Sequence, residues 1–138
     1  MYLLDSCVCI DFMRGRLPFA YRLMRASDPR LFAVPAVVQA ELLTGAFKSA
    51  DVQSARRIVE SFLVPFGVIP FDSACAVHYA RIRAQLEAAG SAIGRNDLLV
   101  AATALAHGAT LVTDNVREFG RVPGLELESW YEVPSGEW

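Results

Sequence analysis

Cysteine is scarce in this chain, with Cys7, Cys9 and Cys75 among 138 residues. An odd number, with no Cys-x-x-Cys pair and no paired histidines, excludes a disulfide framework and a zinc site. The three read as small buried hydrophobes in a reducing compartment. Lysine is scarcer still, Lys48 being the single one. Without Gly-x-x-x-x-Gly-Lys there is no P-loop, and without a lysine near the end of a later strand there is no aspartyl-phosphate centre of the phosphatase or receiver type. His78 and His107 fall on predicted helices with no partner pattern, so nucleophilic catalysis through Cys7 is not indicated. No apolar run nears the roughly 18 to 20 residues of a membrane span; the longest, Leu98 to Ala106, contains Thr103. Met1 to Asp5 lacks the basic start and apolar run of a secretory signal. A cytoplasmic protein with no membrane contact is expected. With no repeat, low-complexity tract or linker, one compact domain over residues 1–138 is expected.

The formal net charge of −2 looks unsuited to a nucleic-acid partner until the acids are sorted. If four of the 15 Asp and Glu residues bind metal, 11 remain against 13 bases, and the rest of the surface carries +2. Twelve of those bases are arginine, the residue suited to bidentate phosphate contacts and to stacking on bases.

Tyr2-Leu-Leu reads as a buried strand ending at Asp5. Helices are predicted from Ser6 to about Arg14, from Pro18 to about Ser27, and from Pro35 to about Lys48. Further helices follow the Asp51 cap to about Leu63, Asp72 to about Ala89, and Asn96 and Asp97 to Gly108. Cys75, Tyr79, Ile82 and Leu86 form one stripe on the long helix, which marks its core face. Strands are expected at 31–34, 66–69, 109–113 and from 125 to about 130, with a short helical turn before the last. Short apolar strands alternating with helices indicate a parallel sheet covered on both faces, a three-layer α/β/α domain with a short, mostly parallel central sheet.

Open parallel sheets bind ligands at the carboxyl ends of their strands. Asp5 follows the first predicted strand and Asp114 the fourth, so both can project into one crevice. Each also has a plain structural reading, Asp5 as a helix cap and Asp114-Asn115 as a turn. Glu41 shares or borders the buried face of its helix, beside Val37, Val38 and Leu42, where a carboxylate needs either a cation or an arginine partner. Asp97 sits in the first turn of a helix, where the dipole alone would favour an acid. Converging carboxylates repel, and a divalent cation or protonation relieves them. Oxygen-only ligands point to Mg²⁺ or Mn²⁺, and such a centre suits phosphodiester hydrolysis. Ser6, Thr113 and Asn115 are placed to support the ligands or orient a water. Arg14, Arg95 and Arg117 are candidate contacts to substrate phosphates.

The chain resembles the PIN-domain family and, within it, the VapC-type toxins of bacterial toxin–antitoxin pairs. The resemblance rests on Tyr2-Leu-Leu-Asp5-Ser6, Glu41-Leu-Leu-Thr-Gly45-Ala, Pro70-Phe-Asp72 and Tyr79-Ala-Arg-Ile-Arg-Ala-Gln-Leu86. Its strongest segments are Ile93-Gly-Arg-Asn-Asp97-Leu-Leu-Val-Ala-Ala and Ala109-Thr-Leu-Val-Thr113-Asp114-Asn115-Val-Arg-Glu-Phe119, with Val122-Pro-Gly-Leu-Glu-Leu-Glu-Ser-Trp130 closing the match. It implies a PIN fold, Mg²⁺ or Mn²⁺ dependence, endonucleolytic cutting of RNA, inhibition by a VapB-like antitoxin, and a toxin homodimer. It carries the metal ligands onto Asp5, Glu41, Asp97 and Asp114. Many relatives read Asp-Thr-Asn after the first strand, whereas this chain reads Asp5-Ser6-Cys7: the hydroxyl is kept and an amide is replaced by a thiol. The rival reading is a PIN-fold module that binds nucleic acid or protein without cutting.

Overall fold

The computed structural model describes residues 1–131. Its elements run β1 (Tyr2–Leu4), α1 (Ser6–Met13), α2 (Pro18–Ala26), β2 (Phe32–Pro35), α3 (Ala36–Phe47), α4 (Val52–Leu63) and β3 (Gly67–Ile69). Then come α5 (Ser73–Ala88), α6 (Arg95–Ala106), β4 (Thr110–Val112), α7 (Val116–Phe119) and β5 (Glu126–Glu128). Helix starts follow ordinary capping chemistry. The side chains of Asp51 and Asp72 accept from the backbone N–H groups of Ser54 and Cys75, and Pro18 opens α2. Gly90 and Gly108, beyond the ends of α5 and α6, have φ of +68° and +58°, which only glycine adopts without strain.

The sheet order is β3-β2-β1-β4-β5, and every pairing is parallel. From β1 the chain winds outward through β2 to β3, then returns past β1 to lay down β4 and β5. The connections after β1 and β4 therefore leave in opposite directions, which makes a switch point between these neighbours and opens a crevice at their carboxyl ends. Helices α1, α3 and α4 pack on one another, α5 packs on α6, and α6 also meets α3. The result is the expected α/β/α layering.

Burial of apolar side chains holds the layers together. Leu3, Leu4, Val34, Leu111 and Val112 from the strands and Val8, Val38, Val100 and Phe119 from the helices are fully enclosed. Cys75, Ile82 and Leu86 of the predicted stripe are buried as expected, with Tyr79 partly so. Two local differences from the sequence reading have clear causes. The segment before β2 is a short 3-10 turn, Pro29–Leu31, whose start is capped by the Asp28 side chain. The last strand stops at Glu128 rather than near Trp130, because the indole turns back over the sheet. It packs 6.0 Å from Phe12 and Phe32 and 6.2 Å from Tyr2, ring centre to ring centre. Of the chain that follows, Tyr131 donates its hydroxyl to Asp11 of α1.

Phe119 is the largest fully buried side chain among the described residues. Phe119→Ala should lower the unfolding free energy by about 3–5 kcal/mol. Val64→Ala, at a side chain 81% exposed, should stay within about 0.5 kcal/mol. Urea titrations of the two variants compare them directly.

Candidate active site

Asp5 leaves β1 at the switch point and is only 6% exposed. Its backbone N–H extends the ladder to the Val112 carbonyl, 3.0 Å away. Both carboxylate oxygens are engaged. Oδ1 accepts from the Ser6 N–H at 2.8 Å, while Oδ2 accepts from the Thr113 hydroxyl at 2.8 Å and, weakly, from the Cys7 thiol at 3.5 Å. The cap reading of Asp5 holds, and the same carboxylate stands in the crevice beside Thr113. Thr113 is fully buried; its hydroxyl donates to Asp5 and accepts from the Asn115 N–H, so the turn after β4 is keyed to the end of β1.

Glu41 lies one and a half turns into α3 on a half-buried face. The Ser6 hydroxyl donates to its Oε2 at 3.4 Å, and among the described residues no arginine forms an ion pair with it. That removes the plain alternative for this acid. Asp97 sits at the third position of α6, in its first turn. Asp114, two residues past β4, is exposed; its charge adds to the repulsion felt by Asp5.

Titration behaviour follows from this crowding. Burial raises the Asp5 pKa above the usual carboxylate value, against the pull of the Thr113, Ser6 and Cys7 hydrogen bonds. Glu41 is raised by burial and then by the Asp5 charge. Asp97 is raised to about 6, first by burial and then by the charges of Glu118 and Asp5. Burial also pushes the Cys7 thiol up to about 12, which keeps it a protonated donor to Asp5 rather than a reactive thiolate.

Glu118 is the residue the sequence reading missed. Its Oε1 accepts from the Gly94 N–H at 3.0 Å and its Oε2 from the Asn115 side-chain amide at 2.9 Å. These bonds hold its pKa down and fix a second carboxylate beside Asp97, so that of the pair Asp97 keeps the proton. In the sequence, Asn115 and Glu118 stand at the spacing of a helix capping box, and that ordinary pattern conceals the placement. Asn115 gives its side-chain amide to Glu118 and its backbone N–H to Thr113. Arg14 lines a cavity shared with Glu41, Arg95 lines another between α5 and α6, and Arg117 is exposed on α7.

The donor set is all oxygen apart from one thiol, and none of Asp5, Glu41, Asp97 or Asp114 has a basic partner among the described residues. As they stand, no three carboxylate, histidine or cysteine side chains among the described residues close around an ion position. The chemistry of the set nonetheless fits a hard divalent cation, which would relieve the repulsion that raises these pKa values.

The model of the PIN domain matches residues 2–125. The chain belongs to the PIN-domain family. This PIN domain is 36% identical over 132 residues to ribonuclease VapC2 of Rickettsia felis, covering 94% of this chain and 98% of that one. It is 30% identical over 129 residues to the tRNA(fMet)-specific endonuclease VapC of Salmonella typhimurium, covering 94% and 97%. Among solved structures it is similar to DNA-bound VapBC from Salmonella typhimurium, with a TM-score of 0.88 at 30% identity, over 94% of this chain and 97% of that one. Similarity to VapBC-1 of nontypeable Haemophilus influenzae gives 0.87 at 31% identity, over 95% and 98%. The relatives place this PIN domain on the VapC branch of the family.

The raised carboxylates set the pH dependence of stability. An acid whose folded pKa lies above its unfolded value binds more protons when folded, so its contribution falls as pH rises between the two. For Asp97 that window runs from the ordinary 3.8 to about 6, and Asp5 and Glu41 act with the same sign. The capping acids Asp51 and Asp72, whose pKa values are lowered, act oppositely and at lower pH. In chelator-treated buffer the protein should therefore melt higher at pH 5 than at pH 7.5, and Asp97→Asn should shrink that difference in thermal melts.

Proposed function

We propose that this chain is a divalent-metal-dependent endoribonuclease, using Mg²⁺ or Mn²⁺, and the toxin half of a toxin–antitoxin pair. The observation that carries the reading is the Asp5 carboxylate, nearly buried at the switch point, facing other acids and paired with no cation. Protonation relieves such a cluster only at low pH, whereas a bound divalent cation relieves it at neutral pH. Asp5, Glu41, Asp97 and Asp114 would hold the ion. When bound, it supplies Lewis-acid polarisation of a phosphoryl oxygen and lowers the pKa of water.

The remaining work belongs to the chain's own groups. Thr113 and the Ser6 N–H fix both oxygens of Asp5, and their donation favours its ionised form. The Ser6 hydroxyl steadies Glu41 from the other side. Burial first and then the charge of Glu118, which is anchored to Gly94 and Asn115, raise the Asp97 pKa to about 6 in the metal-free chain, a strain that a bound cation would relieve. Arg14, which shares a cavity with Glu41, Arg95 and Arg117 are the candidate phosphate contacts. RNA is favoured as substrate because the relatives are named ribonuclease and tRNA-specific endonuclease. A module that binds without cutting has no use for a carboxylate cluster of this kind.

A VapB-like antitoxin is the partner suggested by the VapBC neighbours. A cavity of about 410 Å³ between α1, α3 and α4 suits an apolar segment of such a partner. It is lined by Ile10, Met13, Leu42 and Ala46 and reaches Glu41. Of the aromatic and methionine side chains on α1, α2 and α3, Phe12 and Met24 are core, whereas Phe19 and Phe47 are exposed. Tyr21 lines a neighbouring cavity with Arg57 and Phe62. A second copy of the chain in a homodimer and a cytoplasmic setting complete the proposal.

The purified chain should cleave single-stranded RNA with Mn²⁺ or Mg²⁺ and stop in EDTA. Asp5→Asn and Asp97→Asn should each cost at least about a hundredfold in rate; full activity in both would refute the assignment. Millimolar Mn²⁺ should raise the melting temperature of the parent and not of Asp5→Asn. For the partner, Gly45 faces open space on α3, so Gly45→Leu should fold normally yet fail to co-purify with the antitoxin. Retention of the antitoxin would place its binding elsewhere.

A further inference from the structure

The cavity between α5 and α6 lies outside the carboxylate cluster. It measures about 120 Å³, against roughly 30 Å³ for one water in the liquid. Its floor is apolar, formed by Leu86, Ile93 and Leu98, and its rim carries Arg83, Glu87 and Arg95. The two arginines differ in a useful way. Arg83 is fixed in place: Nε donates to Glu87 at 2.8 Å, Nη1 donates to the Tyr79 hydroxyl at 3.1 Å, and the guanidinium lies 5.9 Å from the Tyr79 ring centre. Arg95 opens α6 two residues before Asp97 and forms no ion pair among the described residues.

The cavity is also preformed. Glu118 grips the loop at the Gly94 N–H, and Arg121 donates to the Ala92 carbonyl at 3.4 Å. The wall beside the arginines is thus braced by the short helix that braces Asp97. One cationic fork held still, one free, and an apolar floor between them match a phosphate with its attached nucleoside. Sugar and base faces settle on apolar and aromatic surfaces, and arginine stacks on bases. Glu87 tempers the site, because its carboxylate occupies one side of Arg83.

We propose that this cavity is a binding subsite for a neighbouring nucleotide of the RNA strand, with Arg95 and Arg83 on the phosphate and Leu86, Ile93 and Leu98 under the nucleoside. The subsite rests on the ribonuclease reading for its ligand class, but not on the metal site. Residues 95 and 97 rise only about 3 Å apart along α6 and face different sides of its first turn. At about 100° per residue the two side chains point to nearly opposite sides, so a strand reaching from Asp97 to Arg95 crosses the amino end of α6, where Arg95 is the first residue.

The test is equilibrium binding of fluorescein-labelled decauridylate, followed by anisotropy, in an Asp5→Asn background where cutting is off. Adding Arg95→Gln or Arg83→Gln should weaken binding roughly five- to tenfold. Each should lower the slope of log affinity against log salt by about 0.7, the value for one lost phosphate on a single strand. Glu87→Gln should tighten binding. Arg30→Gln, an equal loss of charge at the amino end of β2, should leave it unchanged. Unchanged binding in both arginine variants, or equal weakening in Arg30→Gln, overturns the subsite. Loss of antitoxin affinity with RNA affinity kept would assign the cavity to the protein partner and overturn it too. RNA cleavage by the wild-type chain is assayed in parallel. Cleavage with no effect of the arginine variants removes the subsite and keeps the nuclease, whereas the arginine pattern without cleavage keeps the subsite and removes the nuclease.

Discussion

The ladder between β1 and β4 runs one bond beyond the strands, from the Asp5 N–H to the Val112 carbonyl, and the Thr113 hydroxyl closes on the Asp5 carboxylate directly above it. That pair of contacts joins the two points at which the chain reverses its winding direction. Without them the loops after β1 and β4 would be ordinary turns at an open sheet edge. With them, a carboxylate is held where water is nearly excluded, and the side chains of α3 and α6 face it. Much of the polar arrangement at this edge repeats the same logic, a donor from one loop holding an acid from another.

Repulsion supplies the second constraint. Burial and neighbouring charge both act against ionisation of Asp5, Glu41 and Asp97, and no arginine or lysine among the described residues offsets them. The fold tolerates this because the apolar core is large and continuous across the strands and α6, so a local electrostatic cost leaves a positive margin. Local stability is sacrificed at this edge of the sheet, which is what the proposed cation site would require.

Much of this was legible in the sequence, for reasons that can be named. Apolar triplets such as Tyr2-Leu-Leu and Thr110-Leu-Val can hardly be anything but short buried strands, and prolines and aspartates mark the helix starts. Asp5 and Asp114 followed from strand ends alone. Glu41 was readable as a site only provisionally, since its freedom from an arginine partner is a fact of tertiary packing. The Cys7 thiol beside Asp5 stood out against the family pattern, but its bond to the carboxylate and the role of Glu118 were not readable. An acid three residues after Asn115 carries an everyday capping signature, and whether a thiol donates to a neighbouring carboxylate depends on tertiary packing. The return of Trp130 over Phe12 and Phe32 was equally hidden, because alternation in Leu125-Glu-Leu-Glu marks a strand but not where it stops.

Helix α7 is four residues long, and adjacent positions on it serve different masters: Phe119 is sealed in the core, while Glu118 reaches Gly94 and Asp97. So short a segment cannot flex between the two. A shift of the backbone at Phe119 therefore carries the Glu118 carboxylate with it, so the packing of the interior sets how firmly that second charge is held beside Asp97.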